Sequence, residues 1–202
     1  MSLIELTDTT KLTVPAAICL GTFDGVHLAH QMLIQACVKE ASRRNLVPSA
    51  FTFEMPPAMR MGSTSPPMML TPIQQKANLL SAYGIQTTVY AMFTESFSEQ
   101  SCSLFFTRVL LEQLNAKHIV IGFHYRFGRN AEGNAETMKE LCSQYGITCQ
   151  VIQPVYTRDG QLISSTAIRR CIIEGNRIRA EEMLGRKLLS YEEKMLGGAV
   201  HD

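Results

Sequence analysis

A chain of 202 residues with 46% hydrophobic and 18% charged residues is long enough to bury one sizeable core. Nineteen basic against eighteen acidic residues give a formal net charge of +1, which argues against an extended nucleic-acid surface. No apolar run reaches the length of a membrane span, the opening MSLIELTDTTKL lacks the long apolar stretch of a signal peptide, and six cysteines without a C-x-x-C pair read as buried, reduced thiols of a cytoplasmic protein.

Strand and helix patterns alternate along the chain. AAICLG (16–21) is an apolar run ending in glycine and predicts a buried strand. Residues 29–45 carry Met32, Leu33, Cys37 and Ala41 at helical spacing. PSAFTFE (48–54) is β-rich, and MPPAMRMGSTSPPMM (55–69) is a long loop heavy in Pro, Gly, Ser and Met. A helix follows from Thr71 as cap and Pro72 as first residue to Gly84. TTVYAM (87–92) predicts a strand, 98–115 a helix capped by Ser101 or Ser103, and KHIVIGF (117–123) a strand. A helix over 134–146, a strand over 148–155 and a tight turn at Asp159-Gly160 come next. Two short helices close the pattern, STAIRRCIIEG with Ser165 or Thr166 as cap, then RIRAEEMLGRK. Five strands separated by helices predict an α/β fold with a mainly parallel sheet and helices on both faces. Such sheets bind ligands beyond the carboxyl ends of the strands, where the strand order reverses.

Two stretches carry chemistry. GTFDGVHLAH (Gly21–His30) leaves the first strand through Gly21, turns at Asp24-Gly25 and starts a helix. A helix start offers free N–H groups and a positive dipole end, both of which favour an anion. His27 and His30, three apart, face the same way and can donate to one phosphate. Two histidines alone are too few for zinc, and no residue is assigned as a metal ligand. ISSTAIRR (Ile163–Arg170) offers a second helix start, with Arg169 one turn in as a planar fork for phosphate. Together they describe two helix N-termini facing one polyphosphate.

The motifs G-x-F-D-G-x-H-x-x-H and I-S-S-T-x-I-R resemble the nucleotidylyltransferase superfamily with its H-x-G-H signature. The nearest likeness is the FMN adenylyltransferase module of the prokaryotic bifunctional riboflavin kinase/FAD synthetases. FTFE before the Pro-rich loop, GFHYRFGRNAEG (122–133) and LGRK (184–187) resemble further segments of that module. The likeness runs from about Ile18 to Arg186.

The resemblance implies a Rossmann-like nucleotidylyltransferase domain over 1–186, with about five mainly parallel strands. Residues 187–202 would be a tail resembling the linker and first strand (GGAVHD) of a riboflavin kinase barrel, so kinase activity is expected to be absent. It implies adenylyl transfer from ATP to FMN, giving FAD and pyrophosphate, with Mg²⁺ on the ATP. Its partners would be these small molecules, with no nucleic acid and no membrane. Mapped onto matching positions, Gly21, Thr22, Phe23, Asp24, Ser164, Ser165 and Thr166 would bind ATP, and His27, His30 and Arg169 would be catalytic. Phe53, Pro57, His124 and Phe127 would lie near FMN, and a Met-rich loop suits a flat ring. Three positions depart from the family: Ala29 replaces the usual glycine between the histidines, Pro56 stands where a histidine is common, and His124 replaces an acid or amide. These departures keep two alternatives open, a different acceptor and a degenerate module that binds without turnover.

Overall fold

The computed structural model describes residues 1–57 and 68–196. The chain runs β1 (Ser2–Glu5), β2 (Ala16–Leu20), α1 (Leu28–Arg44), β3 (Val47–Phe53), α2 (Ile73–Ala82), β4 (Thr87–Ala91) and α3 (Glu95–Ser98). It continues through α4 (Cys102–Leu104) into a π-helix (Phe105–Gln113), then β5 (Ala116–Gly122), α5 (Ala135–Gln144), β6 (Thr148–Ile152), α6 (Ser165–Ile173), α7 (Arg177–Leu184) and α8 (Ser190–Glu193). Among the described residues, six strands form one parallel sheet in the order β1-β4-β3-β2-β5-β6.

The strand alternation builds two cores. Ala16, Ile18 and Leu20 of β2 join Ile119 and Ile121 of β5 on one face, under the π-helix and α5. Ala17 and Cys19 with Ala50 and Val120 face the other way, under Leu33, Ile34 and Cys37 of α1 and Leu80 of α2. Coverage on both faces is what a parallel sheet of short apolar strands requires. A third cluster joins Leu70 to Ile168, Ile172, Met183 and Leu184 of α6 and α7, and Leu188, Met195 and Leu196 pack on it. The described part of the expected tail is therefore docked against this cluster. The GGAVHD stretch read as a first barrel strand lies outside the described residues.

Three expectations are corrected. The sheet has a sixth strand: β1 is a short, half-exposed edge strand, paired Ser2 to Thr87 through Glu5 to Tyr90, too brief to show a period. The helix expected over 98–115 starts only at Cys102, capped by Ser101, one of the two caps the sequence offered, while Glu95–Ser98 form the separate α3 capped by Thr94. The helix from Cys102 then widens into π geometry, closed by the Leu114 N–H on the Val109 carbonyl. Finally, Thr71 does not cap α2. Pro72 holds that position without a side-chain bond, and Thr71 is drawn to the loop after β2.

The chain steps outward from β2 through β3 to β4, then returns to β5 on the other side of β2. The crevice beyond the carboxyl ends of β2 and β5 is thus the switch point of the sheet. Gly21 follows one of these strands and Gly122 ends the other.

Candidate active site

The loop after β2 holds a conformation that its sequence disfavours. Phe23 (φ 49°), Gly25 (φ 86°) and Val26 (φ 44°) are all left-handed, and a β-branched residue there is strained. Side chains from across the molecule hold it. The Asp24 carboxylate accepts from the N–H groups of Leu70 (3.2 Å) and Thr71 (2.9 Å) and from Arg169 Nη2 (2.5 Å). Thr71 Oγ1 accepts from the Gly25 N–H at 2.8 Å. The loop's carbonyls are met in turn: Thr22 by Thr52 Oγ1 (2.9 Å), Asp24 by Ser165 Oγ (2.8 Å), Gly25 by Arg186 Nη2 (3.0 Å) and Val26 by Gln31 Nε2 (3.0 Å). Donors from β3, α6, α1 and the segment after α7 thereby fix one turn.

That turn delivers His27 as the N-cap of α1, with His30 in its first turn. The two imidazoles stack with centroids 3.7 Å apart and planes 16° from parallel. Burial, with the Arg169 charge adding to it, lowers His27 to about 4. Burial lowers His30 well below the ordinary histidine range, helped by His27 and Lys76. Both rings are therefore neutral at pH 7. Each Nδ1 is buried without a partner. A bare lone pair costs less than a bare N–H, so we assign the proton to Nε2 in each ring. The pair then presents two neutral donors, with no cationic charge of its own.

A cavity of about 880 Å³ opens at the switch point. Gly21, Thr22, His27, Ala29 and His30 form one wall, and Ser164, Ser165, Thr166 and Arg169 face them from the start of α6. Ser164, rather than Ser165 or Thr166, caps α6, its Oγ accepting from the Ala167 N–H at 3.2 Å. Ser165 instead donates to the loop, as described above. Arg169 is 13% exposed and anchored, its Nε donating to the Met68 carbonyl at 2.6 Å while Nη2 meets Asp24. At the far end Phe53, Pro56, Pro57, Tyr125 and His124 line the cavity, and an exposed Phe123 meets His124 edge-on at 5.1 Å.

Three residues assigned from the sequence lie off this cavity. Phe23 is fully buried in the core of the α1 face. Asp24 is buried behind the loop and acts on the site by holding it and Arg169. Phe127 sits in the opposite core, stacked at 5.9 Å on Tyr125, so Tyr125 is the aromatic that reaches the cavity. The Met-rich loop falls mostly within 58–67, outside the described residues. Sequence reasoning missed Thr52, Gln31, Arg126, Gln153 and Lys76. For Lys76 a signal existed, a lysine on the buried face of α2 beside Ala77 and Leu80. For Thr52 there was none, because its partner Thr22 lies 30 residues away in the chain.

A family model described as FAD synthetase matches residues 9–167. A bifunctional riboflavin kinase/FMN adenylyltransferase of Buchnera aphidicola subsp. Schizaphis graminum is 34% identical over 191 residues, covering 95% of this chain and 60% of the relative. The protein of that name from Escherichia coli (strain K12) is 30% identical over 166 residues, 82% of this chain and 53% of its own. A putative bifunctional riboflavin kinase/FMN adenylyltransferase of Geobacillus thermodenitrificans is 31% identical over 180 residues, 89% of this chain and 95% of its own. The chain thus spans 60% and 53% of the first two relatives and matches nearly all of the third. A solved structure described as a macrolide-efflux protein from Streptococcus pneumoniae superposes with TM-score 0.82 at 27% identity, over 93% of this chain and 61% of that one.

Proposed function

The chain belongs to the FAD synthetase family, and from that premise we propose that it transfers the adenylyl group of ATP to FMN, giving FAD and pyrophosphate. The observation that carries the reading is the meeting of two helix starts, α1 and α6, across one cavity with His27 and His30 between them. Free N–H groups at both starts suit a triphosphate. The part of the lining formed by Phe53 and Tyr125 suits a flat aromatic group.

In this reading an oxygen of the FMN phosphate attacks the α-phosphorus of ATP. A new P–O bond forms there as the bond to the bridging oxygen of pyrophosphate breaks, and the electron pair leaves with pyrophosphate. The acceptor is already an anion, so no protein nucleophile or base is required, and catalysis rests on alignment and charge stabilisation. His27 and His30 donate from Nε2 to oxygens on the α-phosphorus as charge builds. Arg169, held in place by Asp24, directs its remaining guanidinium protons to the departing phosphates. Among the described residues the cavity lining has no carboxylate. That donor set fits a magnesium ion carried on the triphosphate and completed by water, with the hydroxyls of Thr22, Ser164 and Thr166 as the protein oxygens on offer; bound, it neutralises phosphate charge.

The test is incubation of the protein with FMN and ATP·Mg²⁺, followed by chromatography. FAD and pyrophosphate in equal amounts are expected. Pyrophosphate release that needs another acceptor, or tight nucleotide binding with no turnover, would replace this reading.

A further inference from the structure

Lys76 is a fully buried lysine on α2. Its Nζ donates to the Phe53 carbonyl at 2.9 Å and to Thr52 Oγ1 at 3.3 Å. Thr52 Oγ1 passes its own proton to the Thr22 carbonyl at 2.9 Å. Both acceptors of the ammonium are neutral, and no described carboxylate forms an ion pair with it. Asp24, the acid whose charge reaches it, is already bonded to Arg169. An unneutralised ammonium in the interior is expensive, and an apolar side chain would serve stability better. Its surroundings say where the charge acts. The residues it touches, directly or through Thr52, include Phe53 and Thr22, and both line the cavity. The charge is also felt at His30, where it favours the neutral ring.

We propose that Lys76 is a positioning residue for phosphate binding: it anchors the Thr52–Thr22 relay that sets the glycine loop, and its charge awaits the phosphates of the nucleotide as counter-ion. The proposal rests on the nucleotide reading of the cavity given above. Burial lowers Lys76 to about 8, with Asp24 opposing that shift. The groups facing it are Asp24 of the loop and His30 of α1, with Arg169 behind Asp24. The ammonium is therefore charged below pH 8 and lost above it, so nucleotide affinity should fall along that limb.

The experiment is calorimetric titration with ATP·Mg²⁺ from pH 7 to 9.5 on the wild type, Lys76→Met and Thr52→Val, with thermal melts of each. The wild type is expected to weaken about tenfold across this range. Lys76→Met should start at the weak level and stay flat, with its melting temperature kept or raised. Thr52→Val, which retains the ammonium, should weaken binding at every pH and keep the limb. A residue that only filled space would leave the limb in place in Lys76→Met. A flat wild-type profile, or Lys76→Met binding as tightly as wild type at pH 7, would overturn the proposal. Should Lys76→Met fail to fold, Lys76→Gln carries the same comparison. If the wild type shows the limb but makes no FAD from FMN, the acceptor reading falls and the Lys76 proposal stands. If FAD forms with no limb, the reverse holds.

Discussion

His27 and His30 show how far a single residue's chemistry depends on its surroundings. The i, i+3 spacing places them on one side of one turn, and that much is visible in the chain. Their neutrality comes first from burial, with the Arg169 charge adding to it at His27 and His27 and Lys76 adding to it at His30, and the unpartnered Nδ1 atoms are a property of the folded site. Two consequences follow. Replacing either by alanine should lower turnover by about 100-fold or more while the circular dichroism spectrum stays that of the wild type. Stability should also fall with acid. The His27 pKa is 6.5 when unfolded and about 4 when folded, so between these values the unfolded chain binds more protons. The contribution is whole above pH 6.5 and is lost as pH falls towards 4, about 2 kcal/mol between pH 7 and pH 5 for this group. Urea titrations at the two pH values should show that loss shrinking in His27→Gln. Ala29 is also informative at this scale: its methyl lines the cavity from the first turn of α1 without disturbing the helix.

Elements were legible where the local pattern was unbroken, and illegible where a distant contact cuts it. The central strands are short, nearly unbroken buried runs and α1 keeps its buried residues at helical spacing. The 98–115 region also looks periodic, yet its helix starts only at Cys102, whose N–H is claimed by Glu132 Oε1 at 2.9 Å, and continues as a π-helix. Glu132 belongs to the 122–133 loop, and Gly128 and Gly133 of that loop close upon the start at Cys102. A Cβ on Gly128 would lie 2.5 Å from Cys102 Sγ and 2.8 Å from its backbone nitrogen, at a φ of +76°. A Cβ on Gly133 would lie 2.4 Å from the same sulfur and 2.7 Å from the Phe127 ring. Gly128 and Gly133 are therefore needed for packing, which spacing alone could not show. Gly128→Ala should cost about 2–4 kcal/mol in denaturant titrations and gain little from an added Cys102→Ala, since backbone still blocks it. Gly133→Ala should be partly rescued by Cys102→Ala.

For the molecule as a whole, the C-terminal helices act on the active site from behind. Arg186 bonds both carboxylate oxygens of the fully buried Glu192 at 2.7 Å and donates to the Gly25 carbonyl at 3.0 Å. Gly185, with φ +66°, has Leu28 Cδ2 2.4 Å from where a Cβ would stand, so α7 closes directly on the start of α1. The LGRK stretch thus ties the third core to the loop that carries the histidines. Arg186→Met should cost about 3–5 kcal/mol by leaving Glu192 without its guanidinium. It should also lower adenylyl transfer, because the strained loop loses a donor. Arg186→Lys should restore neither fully, since one ammonium cannot reproduce the fork that meets Glu192 and Gly25 together. Differential scanning calorimetry and the FAD assay on the same samples check both.

The sequence alone determined the order and type of most elements, the parallel sheet and the two helix starts that meet at the cavity. These rest on local period, on turn chemistry and on residue spacings of a few positions. Only the tertiary structure decided that Asp24 is a buried strut, that Phe23 and Phe127 serve the core while Tyr125 reaches the cavity, and that Lys76 stands behind the glycine loop. The Lys76 and Asp24 contacts join residues 23 and 145 apart in the chain, and a contact across that separation exists only once the sheet has brought its strand ends together.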